Sequence, residues 1–151
     1  MRLVRRQLLI PLLALVTLSC EKSITEPPDS ASCGLSVGTV TIASAPGNSS
    51  TSGALTSSSC KLGRGSYADR YQFVLGAMAS VDILVSSTDF DAFLILRDNS
   101  DKLITSDDDF GPDTDARLNF PMNAGTYYIL ATTFEDDVVG NYTVTITVSA
   151  P

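Results

Sequence analysis

From about residue 33 onward, short runs rich in Val, Ile, Thr, Tyr and Phe alternate with clusters of Gly, Ser, Asn and Asp, and no stretch sustains the i, i+3, i+4, i+7 spacing of an amphipathic helix. The pattern predicts an all-β domain. Candidate strands cover residues 36–43, 53–57, 69–75, 80–86, 92–97, 102–106, 116–120, 126–132 and 140–148. Two of them alternate clearly: Tyr71, Phe73 and Leu75 share one face, and Tyr142, Val144, Ile146 and Val148 share another. Eight or nine strands in about 115 residues fit a two-sheet antiparallel sandwich, with a closed barrel as the alternative. Asp98-Asn99-Ser100-Asp101, between two apolar runs, reads as a hairpin turn.

The beginning of the chain follows another pattern. Arg2, Arg5 and Arg6 precede an apolar run over residues 8–18, interrupted by Pro11 and Thr17, and Glu21 and Lys22 follow it. This is the layout of a signal peptide over residues 1–19, and the run is too short for the roughly 20 residues of a spanning helix. Residues 20–32 are polar, contain Pro27-Pro28 and show no hydrophobic period, so they read as a flexible tether to a domain over residues 33–151.

Composition narrows the chemistry. The 151 residues include no histidine, which removes Ser-His-Asp and Cys-His nucleophile sites, histidine general bases and imidazole-ligated zinc. Lys plus Arg is 10 against 17 Asp plus Glu, a net charge of −7. Removing residues 1–19 takes away three arginines and no acid, leaving −10. So acidic a chain argues against nucleic acid as a partner, because phosphate binding needs a basic surface.

Thr17-Leu18-Ser19-Cys20 resembles the lipobox of bacterial lipoproteins, in which the cysteine is acylated and becomes the new N-terminus. Thr17 departs from the usual aliphatic residue, and an ordinary signal peptide cut nearby is the alternative. The resemblance implies a lipid anchor on Cys20. Glu21, where an aspartate can retain a lipoprotein at the inner membrane, points to the outer membrane. Acylation of Cys20 leaves Cys33 and Cys60 as an even pair in an exported protein, hence an expected disulfide. Two buried thiols, or a bridge to Cys20, are the alternatives. In the chain-entropy picture that closure would stabilise the fold by about 3 to 4 kcal/mol.

Further along stand, in order, Gly53-Ala54-Leu55, Cys60, Asp69-Arg70-Tyr71-Gln72-Phe73 and Asp89-Phe90-Asp91-Ala92-Phe93-Leu94-Ile95-Leu96. After these come Asp107-Asp108-Asp109, Gly125-Thr126-Tyr127-Tyr128-Ile129 and Gly140-Asn141-Tyr142-Thr143-Val144. The series, over residues 53–148, resembles the bacterial pre-peptidase C-terminal (PPC) domain. That resemblance implies a jelly-roll-like β-sandwich, related to the collagen-binding domains of clostridial collagenases, and a non-catalytic role; some relatives bind calcium through acidic residues. Asp101 stands where many relatives have glycine. No protease domain precedes the module in this sequence, so the roles of copies appended to proteases are not carried over.

Nine acidic residues fall between 89 and 115: Asp89, Asp91, Asp98, Asp101, Asp107, Asp108, Asp109, Asp113 and Asp115, with Arg97, Lys102 and Arg117 the basic residues in or beside that window. Such crowding invites a cation. Asp107, Asp109, Asp113 and Asp115, at alternate positions around Gly111-Pro112, are candidate calcium ligands, with Asp89 and Asp91 as further candidates. The segment is not an EF-hand loop, since Gly111, Pro112 and Leu118 occupy its fifth, sixth and twelfth positions. The bland alternative is that these aspartates initiate turns and keep the protein soluble. Gly34-Leu35-Ser36-Val37-Gly38 matches G-x-S-x-G, yet a strand follows it and no histidine exists to serve as base. The sequence therefore predicts a non-catalytic envelope lipoprotein, calcium its one expected cofactor, binding an extracellular polymer or an envelope protein. The alternatives are a structural or assembly-assisting role, or a metal-dependent hydrolase using residues 107–115.

Overall fold

The structure, a computed structural model, describes residues 38–39 and 46–151. The signal peptide and tether over residues 1–32, Cys20, Cys33, residues 34–37 of the G-x-S-x-G match and most of the strand expected at 36–43 lie outside the described residues. Ten strands follow one another: β1 (Gly38–Thr39), β2 (Gly47–Leu55), β3 (Cys60–Lys61), β4 (Tyr67–Leu75), β5 (Ala79–Ser86), β6 (Ala92–Asp98), β7 (Leu103–Asp107), β8 (Ala116–Met122), β9 (Gly125–Thr133) and β10 (Gly140–Ser149).

Eight of them are long, and their pairing is nested. The β6–β7 hairpin is innermost in the chain, and around it β5 pairs with β8, β4 with β9 and β2 with β10, all antiparallel. Successive pairs fall in alternate sheets, one ordered β4-β9-β6-β7 and the other β2-β10-β5-β8. One long folded hairpin rolled into two layers is the jelly-roll winding, so the sandwich is formed and the barrel is not. β1 and β3 add to the outer edge of β4, β1 in parallel and β3 antiparallel.

Alternation places the core. β5 runs buried and half-buried in strict turn, and Tyr71, Phe73 and Leu75 of β4 meet Val144, Ile146 and Val148 of β10 in the cluster between the sheets. Phe73 stacks on Tyr127 with ring centroids 5.4 Å apart. Burying each such side chain contributes about 1.5 to 3 kcal/mol, which is what holds the two layers together.

β2 differs from expectation, starting at Gly47 instead of residue 53 and ending at Leu55. Its sequence, GNSSTSGAL, has no apolar alternation because, among the described residues, it is an edge strand that pairs along its whole length with β10. A smaller apolar cluster lies on the face of the first sheet that points away from the core. Leu62, Ala68, Ile95 and Leu130 form it, with Cys60, Phe93 and Leu103 packed against it.

Candidate functional site

The two ends of the sandwich are built differently. Short turns at 76–78, 99–102 and 123–124 close one end, whereas the connections at 56–59, 62–66, 87–91, 108–115 and 134–139 gather at the other. Function concentrates on such loops because a rigid scaffold can position them without burying their backbone.

Asp107, Asp115 and Asp89 tie the loops at this end together. Asp107 Oδ2 accepts the backbone amides of Phe110 (3.0 Å) and Arg117 (2.9 Å), closing the 108–115 loop across its base. Asp115 Oδ1 accepts the Ser87 amide at 3.1 Å. Asp89 Oδ2 accepts the backbone amide (2.8 Å) and side-chain amide (3.0 Å) of Asn141, and these bonds hold its carboxyl below the usual range. Ser87 Oγ completes the staple by donating to the Asn141 carbonyl and accepting the Asp89 amide.

The expected calcium ligands are accordingly not brought together. Asp109 and Asp113 point to solvent, Asp113 at a φ of 52° in its turn, while Asp107 and Asp115 are engaged by amides. Among the described residues no three acidic or cysteine side chains are grouped so as to hold a metal ion. Asp91 differs from both groups: one of its carboxylate oxygens is buried without a hydrogen-bond partner. Burial first, then the charges of Asp109, Asp108 and Glu135, raise its pKa.

Beside the stapled loops, on the outer side of the second sheet, lies an open groove of about 450 Å³. Ser52 of β2, Ser86 of β5, Ser87, Thr88 and Asn141 present hydroxyl and amide groups along it, and Asp113 and Asp115 stand in its wall. Sequence reasoning singled out Asp113, Asp115 and the segment holding Asn141 but did not bring them together with Ser52, Ser86, Ser87 and Thr88, because the set comes from three strands and two loops. Gly53 and Tyr142 also line the groove. A Cβ on Gly53 would lie 2.3 Å from the Tyr142 hydroxyl, so only glycine lets this ring pass beneath β2.

Under Gly53 the core carries a polar chain. Tyr142 donates to Asp69 Oδ2 at 2.7 Å, and the Tyr71 and Tyr142 hydroxyls are 2.6 Å apart. With the Tyr142 proton directed at Asp69, Tyr71 is the donor between the two rings. Asp69 is 3% exposed. Burial, then the neighbouring Tyr71 and Asp69, push the Tyr142 hydroxyl far above its ordinary value, and burial also raises Tyr71. These hydroxyls keep their protons and act as donors between the sheets, which suits a structural role. The sequence signal was an acidic residue at an inward position of the Asp69, Tyr71, Phe73, Leu75 alternation.

No protein-family model matches the sequence, and no curated protein matches it. Among solved structures the chain is similar to PliG, a periplasmic inhibitor of g-type lysozyme, from Aeromonas hydrophila, with a TM-score of 0.49 and 12% identity over 74% of this chain and 96% of that one. A mutant of the PliG from Escherichia coli gives a TM-score of 0.48 and 16% identity over the same 74% of this chain and 96% of that one. The pre-peptidase C-terminal domain of a Bacillus anthracis collagenase matches with a TM-score of 0.56 and 18% identity, over 75% of this chain and 97% of that domain. The fold expected from the sequence, a jelly-roll-like antiparallel β-sandwich, is the fold that this chain has.

Proposed function

We propose that this protein is a non-catalytic binding module of the bacterial cell envelope, whose loop-bearing end takes an extracellular polymer or an envelope protein. The observation that carries this reading is the groove over β2, β5 and β10, open to solvent and lined by hydroxyl, amide and carboxylate groups. Such a lining suits a ligand rich in hydroxyls or amides, such as a polysaccharide or an extended peptide. The hydroxyls buried beneath it are locked in hydrogen bonds, and the chain has no histidine to serve as a base. Ser52 and Thr143 face each other across the β2–β10 ladder on the outer side of the groove. Replacing both with lysine fills it without touching the core, and is expected to weaken capture by immobilised chitin, cellulose, collagen or envelope proteins about tenfold or more at unchanged melting temperature. Retention by none of these, in the unaltered protein, overturns the reading in favour of an assembly-assisting role.

Export and anchoring belong to the same proposal: residues 1–19 direct secretion, and Cys20 carries lipid that holds the domain at the outer membrane. Labelling with radioactive palmitate, lost on Cys20→Ser, tests it. A Cys33–Cys60 disulfide fits the edge of β4. Gly38 of β1 pairs in parallel with Tyr71, and Cys60 of β3 pairs with Ala68 of the same strand. The five residues from Cys33 to Gly38 are ample for the three positions, about 10 Å, that separate Tyr71 from Ala68. Mass spectrometry is expected to show a gain of two hydrogens on reduction.

A further inference from the structure

Six large apolar side chains of the described residues are at least 40% exposed, and three of them, Phe110 (72%), Phe134 (47%) and Val139 (50%), sit on connections at the loop-bearing end. The 87–91 loop lies between their loops. It leads into β6, which stands between β9 and β7 in the first sheet, so the loops leaving β9 and β7 fall on either side of it. Hydrogen bonds fasten both to it: the Phe134 amide donates to the Asp91 carbonyl at 3.0 Å, and the Ala92 amide to the Thr114 carbonyl at 2.9 Å.

Phe134 is held on every side but one. Its ring centre lies 6.5 Å from that of Phe93, the Arg64 guanidinium stands 5.8 Å and 5.3 Å from the two ring centres, and Arg64 Nη2 donates to the Phe134 carbonyl at 3.1 Å. An exposed aromatic fixed in this way before binding lowers the ordering cost of using it as an anchor. Beside it is an open hollow of about 620 Å³, lined by Arg64, Phe134 and Val138 and walled by Glu135 and Asp136. An aromatic and a guanidinium at the centre with charged groups at the rim is the anatomy of a protein-binding surface. The rim has one sign. Among the described residues Asp108, Asp109, Glu135 and Asp136 have no ion-pair partner, and the neighbouring Lys61 is already paired with Asp137. Besides burial, the charges of Asp109, Asp108 and Glu135 act together on Asp91, which places them around one centre. Carboxylates crowded so closely repel one another and attract a positive group brought among them.

We propose that this surface docks a basic protein, which seats an apolar side chain against Phe134 and Val138 and sets lysine or arginine against Asp109, Glu135 and Asp136. Anionic lipid is repelled by the same carboxylates, and a neutral polysaccharide gains nothing from them. No residue lines both the hollow and the groove over β2, β5 and β10, so this docking stands or falls apart from the ligand assigned to that groove.

Selection of a random peptide library, displayed on phage, against the full exported protein tests the proposal. The enriched sequences are expected to carry lysine or arginine beside a large apolar residue. Synthetic peptides of those sequences are expected to lose affinity at least about tenfold on Phe134→Ser, and as much on Glu135→Lys with Asp136→Lys. Their binding weakens as salt rises from roughly 0.05 to 0.5 M. Met78→Ser, 54% exposed beyond the opposite end of the sandwich, leaves it unchanged. Phe134→Ser disturbs the Phe93 contact, whereas Glu135 and Asp136 are exposed, so the charge reversal remains decisive at unchanged melting temperature if the serine variant unfolds. Failure to enrich any sequence, enrichment of sequences without basic residues, or binding that survives the charge reversal overturns the proposal. Phosphatidylcholine vesicle binding or self-association that is lost on Phe134→Ser but survives the charge reversal assigns the surface to a membrane or to a second copy of the chain, and overturns it too.

Discussion

Gly53 and Asp91 show how much can rest on single positions. At Gly53, any side chain collides with Tyr142, whose hydroxyl is the donor to the buried Asp69. Gly53→Ala therefore displaces the ring or bends β2, and either outcome strips a buried carboxyl group of its donor. A loss of about 2 to 4 kcal/mol is expected in urea unfolding, against almost none for the neighbouring Ser52→Ala. Asp91 acts in the opposite direction. A carboxyl whose folded pKa is raised favours the folded state when protonated, so its ionisation costs stability as pH climbs from the unfolded value through the folded one, and the full cost persists above. Asp91→Asn removes that cost. The variant is expected to melt about 2 °C higher at pH 7, with the difference gone below about pH 3, where the carboxyl is neutral in both states.

Among the elements, legibility followed burial. β4, β5 and β10 were readable because one face of each is apolar, save for Asp69 in β4, and a two-residue period has no other cause in a strand between a core and water. β2 was half-read, since an edge strand of Ser, Thr, Asn and Gly is defined by the β10 ladder that it joins and not by its side chains. The β6–β7 hairpin was read from its polar turn. Asp98 Oδ1 accepts the Ser100 and Lys102 amides, and Asp101 adopts a φ of 64° in the turn. That left-handed residue offers a clean comparison. Asp101→Ala and Asp101→Gly both lose the ion pair to Arg70, but only alanine keeps the steric penalty of positive φ. The alanine variant is expected to be the less stable by about 1 kcal/mol in urea unfolding, the reverse of the usual order inside a strand.

At the scale of the whole molecule, the sequence disclosed how many carboxylates crowd residues 89–115 but not where their oxygens point. Asp107 reaches the amide of Arg117, and Asp89 reaches Asn141, 52 positions away, so the bonds exist only once the roll is closed. Charge composition suggested a metal loop, and tertiary structure adds that Asp89, Asp107 and Asp115 also staple loops. The groove was invisible for a related reason, its hydroxyls being brought together by three strands distant in the chain. The remaining electrostatic strain is diffuse: Asp91 feels Asp108, Asp109 and Glu135 at once, and among the described residues no convergent set of acidic side chains selects an ion by size. Calcium is therefore expected to stabilise this end by screening rather than by coordination. Melting curves in a few millimolar calcium should rise slightly above those in chelator, an equal concentration of magnesium should do the same, and Asp91→Asn should diminish both shifts alike. A large rise with calcium that magnesium fails to reproduce would mean that the 87–91 and 108–115 loops close around the ion, restoring the site that the sequence suggested.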